Sequence, residues 1–133
     1  MATVRRHIRI AAPPDRVWGV LRDPVSISQW WPGITAATLD GKTRMVTLAS
    51  GPTVPEEILT LDDDQRRLQY RLTLPVVSHH LATVDVLDDA GGSLVIYGTD
   101  IAPDAMALVF GGASGAALDG LKRLVEEGVS ANG

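Results

Sequence analysis

Five side chains in this 133-residue sequence can do more than fold it: Arg44, Glu56, Tyr70, His80 and Tyr97. A carboxylate such as Glu56 can act as a general acid or base, or anchor a ligand, once burial tunes its pKa. A lone imidazole such as His80 can shuttle a proton near neutral pH. The planar fork of Arg44 suits a carboxylate or phenolate ligand. Tyr70 and Tyr97 each offer an apolar body with a polar tip, fit to orient a polycyclic molecule. Each has a plainer alternative. Arg44 and Glu56 can form a structural ion pair across neighbouring strands. His80 can be a hydrogen-bonded wall residue, and the tyrosines can simply pack.

Other chemistries fall away. The chain contains no cysteine, which removes thiolate nucleophiles, disulfide scaffolds and Cys-ligated metals. His79 and His80 are neighbours on a strand and point apart, and His7 is isolated, so we assign no metal and no cofactor. Gly111-Gly112-Ala113-Ser114-Gly115 superficially resembles a phosphate loop. It lacks Gly-Lys-Ser/Thr and lies inside a helical stretch, so nucleotide binding is dismissed. Asp62-Asp63-Asp64 reads as a solvated turn, with calcium recruitment as the alternative. The net charge is −4, against the basic stripe that nucleic acid requires. No apolar run is long enough for a transmembrane helix. The N-terminus has no apolar signal-peptide segment, so a cytoplasmic protein is expected.

The elements that would position these residues follow from periodicity. Residues 3–11 alternate apolar and polar, as a strand does. Pro13-Pro14-Asp15 then opens a helix carrying Val17, Trp18, Val20 and Leu21. A second short helix is expected over about residues 25–31, with Ile27, Trp30 and Trp31. Strands are expected over 34–39, 43–49, 53–61, 66–74, 79–87 and 93–102, separated by turns rich in Gly, Asp and Pro. The stretch 66–74 places Leu68, Tyr70, Leu72 and Leu74 on one face, as in a half-buried antiparallel sheet. Residues 103–127 read as a helix opened by Pro103-Asp104. Its stripe is Met106, Phe110, Ala113, Ala117, Leu121 and Leu124. Lys122 and Arg123 would suit its dipole, and Gly128 would stop it. The fold class is therefore α+β: a seven-stranded curved antiparallel sheet grips a long C-terminal helix, with two short helices after the first strand. Residues 1–133 make one domain of ordinary size. Sheet and helix need not meet along their whole length, and the gap is a natural cavity.

Several local motifs join this order. They are Ile10 to Trp18 with Pro13-Pro14, then Trp30-Trp31-Pro32-Gly33, Arg44 to Leu48, Glu56 to Ile58, Arg66 to Tyr70, and Leu118 to Glu126. Together they resemble the helix-grip (SRPBCC) superfamily over residues 3–127. That superfamily includes START lipid-transfer domains, the birch-pollen allergen and its plant relatives, polyketide cyclase/dehydrase-type proteins and abscisic-acid receptors. The bacterial polyketide cyclase/dehydrase-like subgroup is the most similar. The chain departs from the abscisic-acid receptors: Ser50-Gly51-Pro52 lacks the leucine of their gate loop, and residues 34–39 carry no lysine.

The resemblance implies which faces look inward. They are Arg44, Val46 and Leu48; Val54, Glu56 and Ile58; His80, Ala82, Val84 and Val86; and Val95, Tyr97, Thr99 and Ile101. It also places Trp30 and Trp31 at the mouth. The candidate catalytic residues are then Glu56 and His80. The ligand-binding set is Trp30, Trp31, Arg44, Val46, Tyr70, Leu72, Tyr97, Met106 and Phe110. Three functions are weighed. The first is a binding module for a hydrophobic small molecule (a lipid, polyketide or isoprenoid-like compound). The second is a cyclase or dehydratase using Glu56 or His80 as acid/base. The third is a protein-interaction component of a bacterial stress or toxin–antitoxin-type system. Leu59 and Leu61, expected on the outer face, would favour a homodimer over a monomer.

Overall fold

The computed structural model describes residues 1–133. Strand β1 (Ala2–Ile10) leads into helix α1 (Pro14–Leu21), a 3-10 turn over Pro24–Ser26 and a single helical turn, α2 (Ile27–Trp30). Six strands follow: β2 (Ile34–Asp40), β3 (Thr43–Leu48), β4 (Thr53–Asp62), β5 (Arg67–Leu72), β6 (His79–Asp89) and β7 (Gly92–Ala102). Helix α3 (Met106–Glu127) comes last and ends at Gly128, whose φ of 71° is left-handed.

The strands form one sheet in the order β1-β7-β6-β5-β4-β3-β2, with every neighbouring pair antiparallel. Strands β1 and β2 are therefore opposite edges of one open sheet. The chain between them, α1 to α2, spans the open side. Helix α3 lies against β1 and β7 and also touches α2. This is the helix-grip architecture. Along β6 and β7, residues His80, Ala82, Val84, Val86, Val95, Tyr97, Thr99 and Ile101 are buried, and the residues between them are not. Period two thus sends one face of the sheet to the core. Trp18 joins that core but keeps its indole N–H on Asp63, 2.8 Å away, beside the Arg22–Asp63 ion pair. The acidic turn is thereby a latch for α1. No helix is long and apolar enough to cross a membrane.

Four expectations need correction. Helix α3 starts at Met106 rather than at Pro103-Asp104, and Asp104 instead pairs with the N-terminal ammonium at 3.0 Å. Lys122 and Arg123 lie one turn before the C-terminus and pair with Glu126 and Glu127. The buried seam of α3 runs through Gly111, Ser114, Ala117, Leu118, Leu121 and Val125. Met106, Phe110, Ala113 and Leu124 flank it, half-buried. A bulge at Leu59 shifts the register, so Leu61 opposes the buried Leu68 and turns to the concave side. Leu59 and Leu61 therefore do not share one sheet face as strict alternation expects, although both stay exposed and line a surface depression with Leu39 and Pro24.

The glycines explain why the seam is rotated. A Cβ on Gly111 would lie 2.9 Å from Cγ2 of Val4, and one on Gly120 would overlap the carbonyl oxygen of Trp30. Backbone approach, rather than side-chain bulk, sets how α3 meets β1 and α2. Gly112 meets open space. Gly120→Ala should therefore destabilise the fold by about 3 kcal/mol or more, because the clash is with backbone. Gly112→Ala should stabilise it by about 0.5–1 kcal/mol. Urea denaturation of both variants reads the two opposite signs.

Candidate functional site

Helix α3 docks on the β1–β7 side, so the concave face of β3–β6 is not fully covered. A pocket of about 180 Å³ opens there. Eleven of its 15 lining residues are hydrophobic, so its walls are mainly apolar. Val46, Leu48 and Val54 come from β3 and β4, Leu72 from the end of β5 and Leu74 from the segment just after it. Phe110 and Ser114 close it from α3, and Ile27, Trp31 and Ile34 from the α2–β2 corner. Five strand residues bring polar atoms to the wall: Glu56, Tyr70, His80, Tyr97 and Thr99.

Arg44 and Glu56 are directly opposed on β3 and β4. The Arg44 side chain is 1% exposed and that of Glu56 8%. Arg44 Nε donates to Glu56 Oε1 at 2.8 Å, and Nη1 donates to the carbonyl of Pro24 at 3.0 Å. Nη2 lies 2.7 Å from the same Oε1, without the alignment of a hydrogen bond. The guanidinium carbon stands 4.9 Å from the centre of the Tyr70 ring, a cation–π contact. Arg44 thus converges on one oxygen of Glu56, and Oε2 takes no protein donor. Burial pushes the Glu56 carboxyl above its ordinary range, and Arg44 pulls it back in part.

His80 Nδ1 accepts the backbone N–H of Leu72 at 3.0 Å. The β5–β6 ladder ends at Tyr70 opposite Ala82, and the imidazole takes up the next free amide. That bond assigns the neutral tautomer with the proton on Nε2. Burial first, and His79 second, hold the His80 pKa down to about 4. The Tyr70 and Tyr97 hydroxyls bond to each other deep in the core. Burial raises both well above the ordinary tyrosine value. Only one of their two protons serves that bond, which leaves one O–H to give. Trp31 meets Tyr97 edge-on, with centroids 5.7 Å apart.

Of the residues expected to bind ligand, Trp31, Val46, Tyr70, Leu72, Tyr97 and Phe110 line this pocket, as do Glu56 and His80. Arg44, Trp30 and Met106 do not. Arg44 is held behind Glu56, and Trp30 is 1% exposed with its indole N–H toward Ser26. Met106 stands at the first residue of α3, a turn before Phe110. Sequence reasoning missed Ser114 and Asn132. The Asn132 amide donates to the carbonyls of Ser28, Trp31 and Ile34 and accepts from Gly33 N–H, at 2.8–2.9 Å. It therefore ties down the corner that carries Trp31. A tail-to-loop contact spanning about a hundred residues leaves no periodic signal.

The family model described as polyketide cyclase / dehydrase and lipid transport matches residues 1–126. No curated protein matches the chain. Solved structures that share the fold include three from different sources. The protein XoxI from Bacillus cereus is 24% identical, with a TM-score of 0.87 over 96% of this chain and 97% of that one. A norcoclaurine synthase point mutant of Thalictrum flavum, in complex with a transition-state analogue, is 18% identical, with a TM-score of 0.74 over 96% and 95%. DynU16, a protein in the dynemicin biosynthetic locus, is 20% identical, with a TM-score of 0.80; 98% of this chain spans 49% of it.

Two outcomes are expected. Arg44→Met leaves Glu56 buried without its partner and should cost about 3–5 kcal/mol in urea denaturation. Arg44→Met combined with Glu56→Leu should cost clearly less, because no charge is then orphaned. The second concerns pH. Folded His80 binds its proton less tightly than the unfolded chain, whose value is near 6.5. Its contribution is thus fully present above pH 6.5 and lost as pH falls toward 4. Glu56 acts with the opposite sign, so the difference between wild type and His80→Gln isolates the histidine. Thermal melts from pH 7 to pH 4 should show the variant losing less stability.

Proposed function

The chain belongs to the polyketide cyclase/dehydrase and lipid-transport family, and from that premise we propose that it is a binding domain for a hydrophobic small molecule. The ligand enters the pocket between sheet and α3. The observation that carries this reading is a mainly apolar pocket with a few convergent polar groups, the usual character of ligand sites. Trp31 and Leu74 form part of its wall outside the sheet. A lipid, a polyketide or an isoprenoid-like compound supplies the apolar body such a wall accepts.

The unpartnered oxygen of Glu56 favours a second reading, enzymatic proton transfer. Glu56, with its basicity raised by burial, can remove a proton from carbon beside a ligand carbonyl. The electron pair moves onto the carbonyl oxygen as the C–H bond breaks. Nε2–H of His80 and the spare tyrosine O–H are donors for that oxygen. The proton returns from Glu56 to the enolate, or the enolate expels its β-hydroxyl, whose oxygen takes that proton from Glu56 and leaves as water. His80 serves here as a donor, because Nδ1 is already engaged and Nε2 already carries its proton.

Thermal-shift and native mass-spectrometric screening of hydrophobic compounds tests the first reading. A ligand should raise the melting temperature of wild type. Leu74→Trp, which fills the pocket from a half-buried rim position, should abolish that rise. A rise that survives in the variant puts the ligand elsewhere. On any substrate so found, Glu56→Gln should remove turnover while binding persists.

A further inference from the structure

We infer that the group held in this pocket is uncharged, of one ring's bulk, and bears hydroxyl or keto oxygens. The inference rests on the binding reading above and names its ligand class.

Size comes first. The pocket volume is about 180 Å³. An apolar cavity of roughly 150 Å³ holds one benzene molecule. The buried part of the ligand is therefore one ring with small substituents. A fused polycycle or a lipid chain would leave the rest of its body outside the mouth.

Charge comes next. The guanidinium of Arg44, at 1% exposure, is committed to Glu56 and to the carbonyl of Pro24 and does not reach the pocket. His80 is kept neutral by the Leu72 amide on Nδ1. No cation remains on the wall to receive an anion. A carboxylate entering would instead meet the carboxyl of Glu56 in a poorly solvated site, where like charges repel strongly.

The polar atoms settle the rest. Glu56 Oε2 is an acceptor without a donor. His80 Nε2–H is a donor that no protein group takes up, and the tyrosine pair keeps one O–H to give. Glu56 opposes Leu72 across β4 and β5, and His80 takes the Leu72 amide from the β6 side. The acceptor and the donor thus flank one residue, with backbones about two strand spacings, or roughly 10 Å, apart. Hydroxyl and keto oxygens on a ring can satisfy both. A hydrocarbon ring leaves them unpaired.

The test uses four probes on wild-type protein at pH 7.5: phenol, benzoate, toluene and stearate. Phenol is uncharged there and benzoate is ionised. Binding is followed by NMR through the signals of Trp31, Val46 and Phe110. Phenol should bind at least tenfold more tightly than benzoate and than toluene. Glu56→Gln frees the charge of Arg44 and should narrow the phenol-to-benzoate ratio to less than threefold. Equal or tighter binding of benzoate by wild type overturns the inference, whether or not the variant folds. If stearate or toluene moves the pocket signals and phenol binds no better than benzoate, the binding reading stands and this one falls. If no probe moves them, both fall.

Discussion

The Arg44–Glu56 pair is the constraint around which the site is arranged. Two charges removed from water require mutual contact and further hydrogen bonds. Those requirements reach outward in three directions. The Nη1 bond to Pro24 fixes the 3-10 turn that leads into α2, and so the corner that carries Trp31. The stacked guanidinium fixes the Tyr70 ring, whose hydroxyl is bonded to Tyr97. The one-sided approach to Oε1 leaves Oε2 as an acceptor without a protein donor. One buried pair thereby orients an aromatic wall, holds the turn before α2 and shapes the polarity of the pocket.

Much of the scaffold was legible because period-two alternation is a strong signal in a half-buried sheet. The concave residues of β3, β4, β6 and β7 fall on the expected parity, and the strand ranges differ by only a residue or two at most ends. The departures have physical causes. A bulge adds a residue without disturbing the apolar pattern, so nothing in Leu59-Thr60-Leu61 announced the change of face. The rotation of α3 was hidden because glycine is invisible to a hydrophobic stripe. Gly111 and Gly120 are its close-approach contacts, and counting large apolar residues places the seam too near Met106 and Leu124.

The site was less legible than the scaffold. Parity brings Arg44 to the concave face but does not say where a long side chain ends. Its head is drawn to Glu56 and Pro24, away from the pocket. His80 likewise has the right face, yet its role depends on a backbone bond to Leu72 that arises only where the β5–β6 ladder stops. That bond turns a candidate proton shuttle into a hydrogen-bond donor. The hold of Asn132 on the α2–β2 corner is a matter of tertiary contact alone.

These contacts also explain why a pocket exists in so small a core. The glycines draw α3 against β1 and α2, where its backbone meets the Val4 side chain and the Trp30 carbonyl. A rigid helix drawn to one side of a curved sheet cannot also touch the other side. The gap over β3–β6 is therefore set by close approach at Gly111 and Gly120, where the helix meets β1 and α2. Phe110 and Ser114 reach into it from α3 and Trp31 from the opposite corner. The size of the gap and the chemistry of its wall are thus governed by different residues. Substitution at the lining positions can change the shape and polarity of the wall while the glycine contacts keep the helix in place.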